Sequence, residues 1–160
     1  IQQLCKHNIN WDEAISDFIK NEFLTWKTQL VQLQNIEIKR CYKPHSFGEV
    51  VDCSLHHFSD ASEDGYGQAS YIRMINKRGD VHCSLVMAKS RVAPAKFLSI
   101  PRLELMAAVL SVQISQLVRK ELKLSKYPKF EEVFWTDSQV VLGYINNNAR
   151  RFKVFVANRV

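Results

Sequence analysis

Val51-Asp52-Cys53-Ser54-Leu55-His56-His57-Phe58-Ser59-Asp60 reads as a β-strand, Val51 to Ser59, that delivers a carboxylate at its end. Two further strand-like runs follow, Tyr66 to Ile75 and Val81 to Ala88. Glu-Asp-Gly-Tyr-Gly and Asn-Lys-Arg-Gly-Asp join them, Gly-containing turns of hairpin length, so the three form an antiparallel meander. A polar, basic loop is expected from Lys89 to Ser99. Pro101 then opens a long helix with Leu103, Ala107, Leu110, Ile114, Leu117 and Val118 on one face, ending near Leu124. Glu131 to Thr136 is a short apolar strand, and so continuous a run suits a strand covered on both faces. Asp137 or Ser138 caps a final helix bearing Val140, Val141, Tyr144 and Ile145, which stops at Asn146-Asn147-Asn148. The order β-β-β-α-β-α predicts an α/β fold. Periodicity leaves residues 151 to 160 open between strand and helix.

Residues 1 to 45 read as an appended arm. Asn10 and Glu13 have the spacing of a capping box, and Trp11, Ile15, Phe18, Phe23, Trp26, Leu30 and Leu33 recur mostly every three or four residues. That spacing predicts an amphipathic helix of about six turns, with an aromatic face that needs a partner. Pro44 and Gly48 break the pattern, which sets the domain boundary near 45 and assigns 46 to 160 to the main domain. No Met opens the chain and Phe-Val-Ala-Asn-Arg-Val closes it, so it reads as a piece of a longer polypeptide.

Three acids stand at the borders of apolar elements: Asp60 after the first strand, Glu104 early in the long helix, and Asp137 after the fourth strand. A crossover helix sets the first and fourth strands side by side and parallel. Their ends are then about 5 Å apart, within bridging distance of one or two metal ions. Glu104, read as a first-turn residue, sits in the positive end of the helix dipole, which favours its ionised form. Three converging carboxylates repel one another unless a cation compensates them. Hard oxygen donors without histidine or thiolate point to Mg²⁺ or Mn²⁺, and a pair of such ions suits phosphodiester hydrolysis. The plainer reading is two strand-end or cap residues and one exposed acid; the joint placement argues against it. His56 and His57 alternate, one into the core and one outward, and read as structural.

Of the 160 residues, 46% are hydrophobic and 24% charged, ordinary for a globular chain, and no apolar run approaches the ~20 residues of a membrane span. The net charge of +6 is uneven: residues 86 to 160 hold 13 Lys/Arg against 5 Asp/Glu, the first 85 hold 9 against 11. The basic half favours a polyanion such as nucleic acid. Cys5, Cys41, Cys53 and Cys83 make no C-x-x-C pair, which argues against zinc. Free thiols are expected, with Cys53 and Cys83 buried in strands.

Taken in order, several segments resemble the ribonuclease H domain of long-terminal-repeat retrotransposons of the BEL/Pao group. They are Phe58-Ser59-Asp60-Ala61-Ser62 with Tyr66-Gly67, Ser90-Arg91-Val92-Ala93-Pro94, Ile100-Pro101-Arg102-Leu103-Glu104-Leu105, Trp135-Thr136-Asp137-Ser138, and Arg151 to Val160. Trp11-Asp12-Glu13 and Ile38-Lys39-Arg40-Cys41 are similar to the connection segment that follows the reverse transcriptase in such polyproteins.

The resemblance implies a mixed five-stranded sheet, an Asp-Glu-Asp-Asp centre holding two Mg²⁺ ions, for which Mn²⁺ can substitute, and endonucleolytic cleavage of the RNA strand of an RNA:DNA hybrid. Asp60, Glu104 and Asp137 match its first three acids. The family's fifth strand and fourth acid, in a segment reading like Asn-Pro-Ala-Asp, have no counterpart in these residues, so an exposed sheet edge is expected. Phosphates and the 2′-hydroxyl of a hybrid are recognised by basic and hydroxyl side chains. Lys89, Arg91, Lys96 and Arg102 flank the loop leading to Glu104, and Ser62 and Ser138 adjoin two of the acids. The resemblance further implies a reverse transcriptase domain in the same polyprotein, a cytoplasmic location and no membrane. The rival from another class is a non-catalytic nucleic-acid-binding module with the same fold. An integrase-like or resolvase-like nuclease fits less well, since it places its last Glu on a late helix and no acid follows Asp137 here.

Overall fold

The computed structural model describes residues 4, 8–124, 130–147 and 151–160, which divide into two units, Ile1–Arg40 and Cys41–Val160. Cys5 and Asn148, both used in the sequence reading, lie outside the described residues.

In the first unit the helix α1 spans only Asp17–Gln29 and runs into a 3₁₀ segment, Leu30–Asn35. The expected six-turn helix from Asn10 does not form. Glu13 does accept the Asn10 N–H at 3.0 Å, as in a capping box, but its own N–H reaches back to Asn10 O, so the pair closes a single turn. Ser16, in extended conformation, starts the helix afresh, with Asp17 in the first turn and Lys27 in the last, both complementing the dipole. Phe18, Phe23, Trp26 and Leu33 are exposed.

The second unit is a four-stranded sheet in the order β3-β2-β1-β4. Its strands are β1 (Val50–Ala61), β2 (Gly65–Asn76), β3 (Val81–Val92) and β4 (Phe130–Trp135). β1/β2 and β2/β3 pair antiparallel, β1/β4 parallel. The 23-residue helix α2 (Ile100–Leu122) links β3 to β4 and packs on β1 and β2. The β2–β3 turn is organised by buried Asn76: its Nδ2 donates to Phe47 O and Asp80 Oδ2, and its Oδ1 accepts the N–H of Arg78 and of Asp80. Gly79 at φ 86° supplies the left-handed residue.

Alternation along β1 turns Cys53, Leu55 and His57 inward, level with Met74, Ile72 and Ser70 of β2. Leu103, Ala107, Leu110, Ile114 and Val118 of α2 close the core over them. Leu55 has no exposed surface, which is worth about 1.5–3 kcal/mol in transfer free energy. Leu117 stays 43% exposed, because the buried stripe includes Ser111 and Ser115 and so turns towards β4. Burial pushes the Cys53 thiol up, as expected of a core cysteine, whereas Cys83 and Cys41 are free and exposed. Cys83 lies on the sheet face opposite α2, the side that alternation leaves open.

Two boundaries differ from the sequence reading. β3 continues to Val92, so Lys89 and Arg91 belong to a strand rather than a loop; the extension pairs with Gly65 to Gln68. A Cβ on Gly65 would stand 2.8 Å from Arg91 O, too close for the pairing to persist. Gly65→Ala is therefore expected to cost about 1–3 kcal/mol, measured by thermal or urea unfolding. The second difference is β4, an edge strand among the described residues, with Phe134 45% and Trp135 49% exposed, not covered on both faces.

After β4 come the short helices α3 (Gln139–Ile145) and α4 (Val154–Ala157). The terminal stretch left open by periodicity is thus helical in part. A second apolar cluster, Leu105, Val141 and Val156 with Tyr144, Phe152 and Phe155 against it, fastens both helices to α2.

Candidate active site

The parallel pairing sets Phe58 beside Trp135, so Asp60 and Asp137, each two residues further on, leave the carboxyl ends of neighbouring strands at the same level. Ser59 Oγ donates to Trp135 O at 3.2 Å and ties these ends together. Asp60 is exposed, and its Oδ1 accepts the Ala61 N–H at 2.7 Å. Both carboxylates line one open cleft of about 970 Å³, with Ser62, Asp64, Gln68, Ser90 and Arg91 around them and Phe58 and Trp135 as an aromatic wall.

Glu104 reaches this end of the sheet from α2. It is the fifth residue of the helix rather than part of its first turn, so the expected help from the dipole, which fades after that turn, does not apply. Its position is held by Ser138, whose Oγ donates to Glu104 Oε2 at 2.5 Å and accepts the Val141 N–H at 3.2 Å as the N-cap of α3. One buried hydroxyl thus links the residue after Asp137 to Glu104 and starts the next helix. Ser138→Ala is expected to cost about 1 kcal/mol of stability by loss of the cap, read as a lowered unfolding midpoint.

None of the three acids has a cationic partner among the described residues; the ion pairs there are Lys77–Glu49, Arg78–Asp80 and Arg119–Glu132, and His57 hydrogen-bonds Glu132. Nor, among the described residues, do three His, Cys, Asp or Glu side chains stand close enough together to hold a metal ion. The structure therefore pairs Asp60 with Asp137 in the cleft and ties Glu104 to Ser138 beside it. Of the basic and hydroxyl candidates, Ser62 and Arg91 line the cleft. Lys89 and Lys96 are exposed outside it, Ser138 is turned to Glu104, and the Arg102 guanidinium lies 5.1 Å from the Phe155 ring centre.

His56 and His57 divide as alternation requires. His56 Nδ1 accepts the Trp135 indole N–H at 3.1 Å, which leaves its Nε2–H for Ser54 Oγ at 3.0 Å. His57 is fully buried between Ser70 Oγ at 2.7 Å and Glu132 Oε1 at 3.1 Å, stacked on Phe134. Burial pushes its pKa down, against the upward pull of the Glu132 hydrogen bond. Glu132 also accepts from Ser115 Oγ of α2 at 2.7 Å, so one carboxylate binds β4 to β1 and to the helix. Sequence reasoning passed over Glu132, although an acid within an apolar strand was the available signal. Gln68 Nε2 is buried without a hydrogen-bond partner among the described residues. A half-turn of that amide directs Nε2 to Ser70 and frees the Ser70 hydroxyl proton, now given to Gln68 Oε1, for a neutral His57.

The sequence matches the Pao retrotransposon-like RNaseH-like domain over residues 1–138. The chain belongs to that family. Its RNaseH-like domain carries Asp60, Glu104 and Asp137 within the matched residues, and the match also takes in the first unit. No curated protein matches the chain. Among solved structures it is similar to RNase H1 from the halophilic archaeon Halobacterium salinarum, at 11% identity over 66% of this chain and 70% of that one, with a TM-score of 0.37. Among the described residues of this Pao-type domain, no helix is long and apolar enough to cross a membrane.

Proposed function

We propose that this RNaseH-like domain hydrolyses the RNA strand of RNA:DNA hybrids during retroelement reverse transcription, using divalent metal held by Asp60, Asp137 and Glu104. The in-register parallel pairing of β1 with β4 carries this reading, because it brings to one cleft two carboxylates without cationic partners among the described residues. The donor set fits the group: hard oxygens only, with uncompensated negative charge, as Mg²⁺ or Mn²⁺ requires. Two such ions, when bound, supply an activated water and stabilise the leaving oxygen.

The chain's own residues do the rest. Asp60 and Asp137 present oxygens at the carboxyl ends of two paired strands, and Ser138 restrains one oxygen of Glu104. Arg91 and Ser62 in the cleft suit a backbone phosphate and a 2′-hydroxyl, the group that marks the RNA strand. On this reading the domain works beside the reverse transcriptase of the same polyprotein, in the cytoplasm.

One observation favours the alternative of a non-catalytic binding module: no three-donor metal cluster is preformed among the described residues. A hybrid labelled on each strand in turn separates the two, assayed in Mg²⁺, in Mn²⁺ and with chelator. Metal-dependent loss of the RNA strand alone supports the nuclease; binding without cleavage in any metal supports the module.

A further inference from the structure

Beyond Asp137 the chain has no acidic residue, and its last ten residues bring Arg151, Lys153 and Arg159. Two guanidiniums meet there on one ring. Arg102 Cζ of α2 lies 5.1 Å from the centre of the Phe155 ring, and Arg159 Cζ 3.8 Å from it. Phe155 itself is packed against the Leu105, Val141 and Val156 cluster, which fixes the ring to α2. Arg159 Nη1 donates to Phe155 O at 2.8 Å, so its side chain is folded back over its own helical turn. Both arginines are exposed, and neither has an ion-pair partner among the described residues.

Two like charges gathered on one ring, uncompensated and facing solvent, suit an anion that takes hydrogen bonds from both. A guanidinium offers a planar fork of donors that matches phosphate oxygens two at a time, and stacking on an aromatic face limits the freedom it loses on binding. A phosphodiester backbone offers repeated anionic oxygens to two forks gathered on one ring. Phe155 packs on the cluster that holds Leu105, next to Glu104, and Val141, whose N–H bonds the same Ser138 hydroxyl that holds Glu104, so the pair sits beside the candidate centre. Phe155 and Arg159 fall outside the residues 1–138 matched by the family.

We propose that Arg102 and Arg159, held on Phe155, form a phosphate clamp that grips the nucleic-acid backbone next to Glu104. It rests on the hybrid reading for its substrate, but binding tests it without cleavage. Affinity for a fluorescent RNA:DNA hybrid is measured by anisotropy in chelator over 50–200 mM salt, on the whole chain. The double variant Arg102→Gln/Arg159→Gln is expected to bind on the order of tenfold more weakly. Its slope of log K against log salt should be shallower by about 1–2, near 0.9 for each phosphate no longer neutralised. Arg102→Lys/Arg159→Lys should recover the slope and only part of the affinity, because charge returns without the fork. Phe155→Leu, which keeps the apolar packing, should weaken binding without changing the charge.

An unchanged slope in a double variant with native circular dichroism overturns the clamp, as does an equal loss in Lys120→Gln near the other end of α2. A polyglutamate competing as well as unlabelled hybrid overturns the phosphate assignment. The two readings fail separately: a wild-type chain that binds through these arginines yet never cuts removes the nuclease and leaves the clamp. One that cuts while the double variant binds normally does the reverse.

Discussion

Asp60→Asn and Asp137→Asn are each expected to remove hybrid cleavage while leaving the fold intact. The expected loss exceeds the ~100-fold that follows when a metal site loses only an outer hydrogen-bonding partner, since on the proposed reading a ligand itself goes. Both side chains are exposed at strand ends, outside the core, so neither amide disturbs packing. Unfolding midpoints within about 0.5 kcal/mol of the parent accompany the loss, as for surface substitutions generally. Removal of either charge also lowers affinity for Mn²⁺, measurable by calorimetry. Should Asp137→Asn cut as fast as the parent, the parallel β1/β4 pairing has no bearing on the chemistry.

The largest effect on stability is expected at His57. Its replacement by alanine leaves a cavity beside Phe134 and strips Glu132 and Ser70 of a partner, all where β1, β4 and α2 meet. Leaving a buried partner unsatisfied costs about 1–3 kcal/mol, and more where the partner is a carboxylate such as Glu132, which is only 15% exposed. The pH dependence has a definite sign. Burial holds the folded-state pKa of His57 below its ordinary value of about 6.5, so the unfolded chain takes up the proton first. Stability from this group is complete above pH ~6.5 and is lost as pH falls through the folded-state pKa. Urea titrations at successive pH values show the effect as the difference between parent and His57→Gln, which cancels the carboxylates common to both. A steeper acid loss in the variant than in the parent runs against this assignment.

What could be read without coordinates is what repeats or caps. Alternation from Val51 to Ser59, two Gly-containing turns, Pro101 at a helix start and Ser138 before Val141 each report a local choice that the fold keeps. The crossover argument also put β1 beside β4, and with it Asp60 beside Asp137. The failures are tertiary. Leu117 matches the helical period but misses the face, since Ser115 turns inward to Glu132. Cys83 and Trp135 have core composition on a face that α2 leaves open. Lys89 and Arg91 join β3 because glycines at 65 and 67 let the opposite backbone come close. The contact of Arg102 with Phe155 joins residues far apart in sequence and depends on how α4 docks, which no local pattern encodes.

The central claim is that two strand-end carboxylates brought level by parallel pairing work a metal-dependent cut in RNA. The most direct test follows one RNA:DNA hybrid, labelled on the RNA, through Mg²⁺ addition with this chain and with Asp60→Asn. RNA fragments from the parent and none from the variant, while both bind the hybrid, are the predicted result. Binding by both with intact RNA in Mg²⁺ and Mn²⁺ alike would contradict it.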